Sequence, residues 1–181
     1  ELGEDFDIEQ MLNSGPLPSH YSSGQYKRRL QSYVDDYLRE EILQEGLIRN
    51  LPVFSDFLRM AAIGDTEVTN LTNIARECGV SVTTVRNHYT ILIDTRMGAF
   101  VPSYTVKPKR RPVKSPKFYF YDVGVVNHLT KRGSVQPGSE LFGKAFENWV
   151  FHELSAHSRY SEEFYKISYW RLTTGSEVDF I

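Results

Sequence analysis

The sequence predicts an α+β protein, a helical domain closed by two strands and followed by a smaller helix-and-hairpin region. Three observations predict it. Apolar residues recur three and four apart between Tyr26 and Leu92, runs at 99–104 and 117–121 read as strands, and a second apolar helical stripe between Glu140 and His157 leads into a glycine-bearing hairpin.

The elements follow in chain order. Residues 1–24 place five acids in the first ten positions, then Asn13-Ser14-Gly15-Pro16 and Pro18-Ser19, which are turn formers with little hydrophobic period. This stretch reads as a linker from a preceding domain, ordered only against a neighbour. From Tyr26 onward Leu30, Tyr33, Val34, Tyr37, Leu38 and Ile42 share one helical face, and Asp35 and Arg39 form an i,i+4 pair on another, so a helix should run to about Gly46. Pro52 suits the first turn of the next helix, which buries Phe54, Phe57, Leu58 and Ala61 and ends at Ile63-Gly64-Asp65.

Leu71, Ile74 and Ala75 form the inner face of a short helix. Gly79 supplies a tight turn, Ser81 can cap the helix after it, and Val85, Tyr89 and Leu92 form that helix's inner face. This is the pattern of a helix-turn-helix, with Ala75 small where the helices approach. Ala99–Tyr104 and Lys117–Tyr121 then read as two strands joined by a long basic loop, a winged-helix arrangement with the loop as wing. Asp122 can cap a short helix from Val123 to Leu129, closing a domain over residues 25–132. Gly133 to Gly138 is the clearest linker candidate. In residues 139–181, Leu141, Phe142, Ala145, Phe146, Trp149, Val150 and Leu154 make the Glu140–His157 helix one that should be largely buried, and Tyr165–Leu172 and Glu177–Ile181 form a hairpin around Thr173-Thr-Gly-Ser. A helix and one hairpin cannot cover both faces of such a helix, so further sheet partners are expected.

The chain of 181 residues has 21 Lys plus Arg against 23 Asp plus Glu, a formal charge of -2. Its distribution is uneven: residues 105–118 hold six cations and no acid, leaving 15 cations against 23 acids, or -8, in the remainder. At 40% hydrophobic and 13% aromatic the chain can bury a core, which excludes disorder by composition. Its apolar runs fall far short of the roughly 20 residues that cross a bilayer, and its acidic start is unlike a signal peptide, so a cytoplasmic protein with no membrane partner is expected. The single Cys78 excludes an internal disulfide, and five scattered histidines offer no close zinc-ligand pair. A Walker-type phosphate loop and a Gly-x-Ser-x-Gly elbow are both missing.

Two groups of residues carry possible chemistry. If Ser81, Val82, Thr83, Thr84, Arg86 and Asn87 face a major groove, the hydroxyls and Arg86 reach phosphates and Asn87 can read adenine, while Lys107, Lys109, Arg110, Arg111 and Lys114 pair with phosphates on a strip held extended by Pro108, Pro112 and Pro116. The alternative for the helix is a packing role, and for the strip a solvated loop or one docked on an acidic protein, another copy included. Glu147 on a helix and Asp179 in Glu-Val-Asp-Phe-Ile are the second group, matching the start of a metal-dependent nuclease site. The acid, spacer and lysine of a following strand are absent. The sequence favours the plainer reading, in which Glu147 pairs with an Arg or Lys within the fold and Asp179 stabilises the hairpin.

Five ordered motifs resemble a known arrangement: Tyr33-Val-Asp-Asp-Tyr-Leu-Arg-Glu-Glu-Ile; Asn73-Ile-Ala-Arg-Glu-Cys-Gly-Val-Ser-Val-Thr-Thr-Val; Pro116-Lys-Phe-Tyr-Phe-Tyr-Asp-Val-Gly-Val; Phe142-Gly-Lys-Ala-Phe-Glu-Asn-Trp-Val-Phe; and Ser168-Tyr-Trp-Arg with Gly175-Ser-Glu-Val-Asp-Phe-Ile. Together they are similar to the C-terminal domain-of-unknown-function module of prokaryotic AAA-type P-loop ATPases. The resemblance implies an absent ATPase core joined through the 1–24 linker, a winged helix, and a partial restriction-endonuclease-like region over 139–181, with Glu147 on the family's helical acid and Asp179 on its strand acid. It places ATP and Mg²⁺ on the absent core and no cofactor on this segment. The expected function is a non-catalytic DNA-binding and coupling module with duplex DNA and the ATPase core as partners. The alternatives are a protein-interaction or oligomerisation module and, less favoured, a remnant Mg²⁺-dependent nuclease.

Overall fold

A computed structural model describes residues 6–38, 48, 50–104 and 113–181, with side chains described throughout except at 36–38. The expected end of the first long helix, with Tyr37, Leu38, Arg39, Ile42 and Gly46, lies outside the described side chains or residues, as do Lys107, Lys109, Arg110 and Arg111 of the cationic strip.

The helical part forms where the spacing requires it. Helix α3 (Tyr26–Gln31) passes into a π-helical stretch, Ser32–Leu38, and contributes Leu30 and Val34 to the core. Helix α4 (Leu51–Ile63) starts with Asn50 accepting from the Val53 N–H and Pro52 in its first turn, and it buries Phe54, Phe57, Leu58 and Ala61 as expected. Asn70 caps α5 (Leu71–Glu77), Gly79 turns with φ of 64°, and Ser81 caps α6 (Val82–Asp94) through the Thr84 N–H. Phe54, Phe57, Leu58, Val85, Tyr89 and Leu92 meet in one apolar core, where each fully buried large side chain stabilises the fold by about 1.5–3 kcal/mol.

Strand β1 (Gly98–Val101) runs antiparallel to β2 (Lys117–Phe120), with Gly98 opposite Phe120 and Val101 opposite Lys117. On its other side β2 accepts from Thr66 and Thr69, whose N–H groups donate to the Phe118 and Pro116 carbonyls at 3.1 and 2.8 Å. Simple alternation predicts one core face and one surface face for this strand. Instead all four β2 residues are buried, because the strand is a wall between two clusters. Phe118 and Phe120 enter the helical core, whereas Tyr119 packs with Val101, Phe151 and Tyr169 on the opposite side.

The lead-in contains two helices, α1 (Ile8–Ser14) and α2 (Pro18–Tyr21). Asp122 caps α7 (Val123–Leu129), and α1 lies so close to it that a Cβ on Gly124 would come within 2.5 Å of the Ser14 carbonyl. The Asn13 side chain both donates to the Val135 carbonyl (3.0 Å) and accepts from its N–H (2.8 Å), and Val135 is buried. The two stretches that the sequence reads as linkers are thus pinned to each other.

Helix α8 (Glu140–Tyr160) corrects the expectation of a largely buried helix. It buries Ala145, Asn148, Phe151 and Ser158, but Phe146 is 42% exposed, since α1, α7 and β2 cover only one face and no described element covers the other. A short hairpin of β3 (Trp170–Arg171) and β4 (Glu177–Val178) follows, with Gly175 at φ of 102° in its turn. Two small antiparallel sheets among packed helices make the fold α+β. Among the described residues no helix is long and apolar enough to cross a membrane.

Candidate functional site

Helix α6 buries Val85, His88, Tyr89, Ile91 and Leu92 and leaves Thr83, Arg86, Asn87 and Thr90 exposed along its opposite side. Thr84 is half-buried and engaged at the cap, where its hydroxyl lies 2.9 Å from that of Ser81. Arg86 makes no ion pair with a described residue, whereas Arg76 on α5 lies 3.2 Å from Glu77. A groove of about 860 Å³ lies between α6, the start of α5 and the Ser115–Pro116 flank of the cationic strip, lined by Leu71, Val82 and Phe100 and by Arg86 and Thr90. Lys114 is exposed beside that flank.

The second site lies under β2. The Lys117 ammonium donates to Glu147 Oε1 on α8 at 3.0 Å and to Asp179 Oδ1 at 3.1 Å, and Glu177 Oε1 on β4 lies at 2.6 Å. The Tyr119 hydroxyl donates to the same Glu147 oxygen at 2.5 Å, and Arg171 lies 3.5 Å from the other oxygen of Glu177. Lys117 is only 2% exposed, so its charge needs partners, and three carboxylates with two cations leave a net charge of -1. Burial alone would lower the Lys117 pKa, but its hydrogen bond to Glu177 and the charge of Glu147 raise it on balance. Burial pushes Glu147 up against the opposing pull of Tyr119 and Lys117, and it pushes the Tyr119 phenol well above its usual value.

A neighbouring buried node ties three elements together. Asp65, at the end of α4, accepts from the Phe120 N–H at 2.8 Å and from the Asn148 amide at 2.9 Å, while that amide also donates to the Phe120 carbonyl. Burial raises the Asp65 pKa to about 7.

A family model described as "Domain of unknown function (DUF8612)" matches residues 5–136, well over half of the chain. The chain belongs to the DUF8612 family. A second model, "Domain of unknown function (DUF4143)", matches residues 142–181, the α8 and hairpin region. No curated protein and no solved structure matches the chain.

The DUF8612 part thus contains the α6 face and Lys117, and the DUF4143 match contains Glu147, Glu177 and Asp179. Of the residues singled out in the sequence, Glu147 and Asp179 come together, but on a lysine. Their donor oxygens do not fit Mg²⁺ as they stand, because an ammonium already holds them, and among the described residues no three His, Cys, Asp or Glu groups are arranged to hold a metal. Thr83, Arg86 and Asn87 share one exposed face. The strip of six cations loses one member to the interior, since Lys117 is buried, whereas Lys114 is exposed and the other four lie outside the described residues. Sequence reasoning does not reach Lys117, Glu177, Tyr119 or Asp65 as site residues. The signal that points to the first and third is the two-residue period of β2: with Phe118 and Phe120 in one core, Lys117 and Tyr119 must share the other face.

Proposed function

We propose that this chain is a non-catalytic DNA-binding and coupling module of a larger AAA-type ATPase. The single observation that carries the reading is the exposed polar face of α6, with Thr83, Arg86, Asn87 and Thr90, beside a two-stranded hairpin whose connection holds Lys107, Lys109, Arg110, Arg111 and Lys114. A helix packed on a preceding short helix and followed by such a hairpin is a winged-helix arrangement. In it α6 enters the major groove, Asn87 reads a base edge, and the wing cations neutralise phosphates. The ordered motifs from Tyr33 to Ile181 support the ATPase parent, in which ATP and Mg²⁺ belong to the core and its turnover moves this module against DNA.

The reading separates base contact from phosphate contact. Asn87→Ala should lower affinity for a selected duplex by about 1–3 kcal/mol while leaving random duplex untouched, whereas Arg86→Ala should weaken both alike, measured by fluorescence anisotropy. Wild-type affinity for both duplexes with no response to either substitution would reject the α6 face as the reader.

A second reading, a protein-docking module, is favoured by one observation. Phe146, Tyr160 and Phe164 are 42%, 89% and 70% exposed on and after α8. It predicts self-association or partner capture without duplex affinity, which light scattering of the chain with and without duplex resolves. The remnant-nuclease reading finds less support, because Glu147 and Asp179 serve Lys117.

A further inference from the structure

The C-terminal hairpin holds both described ends of the cationic connection. The Tyr169 N–H donates to the Pro102 carbonyl at 3.0 Å, and the Tyr169 carbonyl accepts from the Tyr104 N–H at 2.6 Å, so the chain leaving β1 pairs with the approach to β3. On the return side the Val113 N–H donates to the Arg171 carbonyl at 2.9 Å, and the Tyr169 hydroxyl donates to the Ser115 carbonyl. Residues 105–112 lie between these points and outside the described residues. The two ends are therefore set by a segment more than fifty positions away in sequence.

Apolar contact holds the flanks of that hairpin, where Tyr169 and Leu172 are buried and the Phe180 ring lies on Tyr119 and Phe151. The paired strands themselves add little, since Trp170 and Arg171 are only half-buried and Glu177 and Val178 are exposed. The charged link between the hairpin and β2 is the Lys117 ammonium, which reaches Glu177 and Asp179 on one side and Glu147 on α8 on the other, with the Tyr169 ring 5.5 Å away. We infer that Lys117 is a positioning residue: its ammonium latches the C-terminal hairpin to β2 and thereby sets the pose of both ends of the cationic connection that the proposed function places on DNA. The inference deepens that reading and rests on it for its functional consequence, but the latch itself is a property of the protein alone.

The experiment compares wild type with Lys117→Met, Lys117→Arg and Glu177→Gln. Amide hydrogen exchange is read at Tyr104, Val113 and Tyr169, with Leu58 and Leu92 as core references. Lys117→Met removes the charge at similar length, so exchange at the three seam amides should rise at least tenfold with the references unchanged. Lys117→Arg should restore protection, and Glu177→Gln should give an intermediate rise. Seam exchange unchanged in Lys117→Met, or in Glu177→Gln if the Met variant does not fold, overturns the latch. Duplex affinity is measured on the same samples. A several-fold loss in Lys117→Met, rescued by Lys117→Arg, supports the positioning role, because the other five cations of the strip are unchanged in both. Loosened seam amides with unchanged wild-type-level duplex affinity overturn that role. If wild type does not bind duplex while the seam amides loosen, the latch stands and the DNA reading falls.

Discussion

The two faces of β2 are held by different physics. Phe118 and Phe120 point into an apolar core built by α4 and α6, where Phe57 and Leu92 are fully buried and no charge is involved. One residue along the strand, Lys117 and Tyr119 point into a seam where an ammonium, three carboxylates and a phenol meet beside the rings of Phe151, Tyr169 and Phe180. Apolar contacts add up without regard to direction, so the first face tolerates small shifts. The seam depends on distances near 3 Å and on every partner being present, since a buried charge left alone is costly. A hairpin held in part by such polar contacts should loosen before a helical body of the first kind does.

Several substitutions break or sharpen this contrast. The largest effect is expected for Phe57→Ala, which removes a ring packed on Phe54 and Tyr89 and should cost about 3–5 kcal/mol in urea unfolding. A loss below about 1 kcal/mol would mean that the core collapses around the site and the contrast is wrong.

Next comes Asp65, whose pKa is raised by burial from 3.8 to about 7. The unfolded chain releases this proton near pH 4 and the folded protein only near 7, so across that window the folded state binds more protons and stability falls as pH rises. Below the window the contribution is complete. The difference in unfolding free energy between wild type and Asp65→Asn should therefore shift by a few kcal/mol between pH 4 and pH 7.5, with wild type losing relative to the variant. Parallel curves would show that Asp65 does not titrate in that range.

Glu147→Gln keeps shape and removes the carboxylate charge that takes both the Tyr119 hydroxyl and the Lys117 ammonium, and about 1–3 kcal/mol should be lost. The smallest effect belongs to Arg76→Ala. The Arg76 and Glu77 side chains are 72% and 50% exposed, so chemical denaturation should register a change within about 1 kcal/mol.

Most of the helical face of this contrast was legible in the sequence. Phe54, Phe57, Leu58 and Ala61 in α4 and Val85, Tyr89 and Leu92 in α6 repeat at helical spacing, and Ser81 and Asp122 cap helices as read, whereas the caps Asn50 and Asn70 were not singled out. The helices α1 and α2 were hidden because Met11, Leu12 and Tyr21 are too sparse among polar residues to mark a face, and they are buried only through tertiary contacts, α1 against α7 and α8 and α2 against α3. The seam was hidden for a different reason. Lys117 stands at the end of a cationic run and reads as one more solvated charge, and its partners lie 30 and more positions away. Glu147 and Asp179 could be picked out as acids in a suggestive setting, yet only the fold brings a lysine between them.

The central claim, that α6 and the cationic connection bind duplex DNA, is tested most directly by a salt titration of duplex binding. Wild type is compared with the variant in which Lys109, Arg110 and Arg111 are changed to Ala. The account predicts that wild type binds more tightly at low salt and that its plot of log K against log salt is steeper by about 0.9 for each phosphate these three side chains neutralise, so between two and three in all. Equal affinities and equal slopes, or no duplex binding by wild type at low salt, would contradict it.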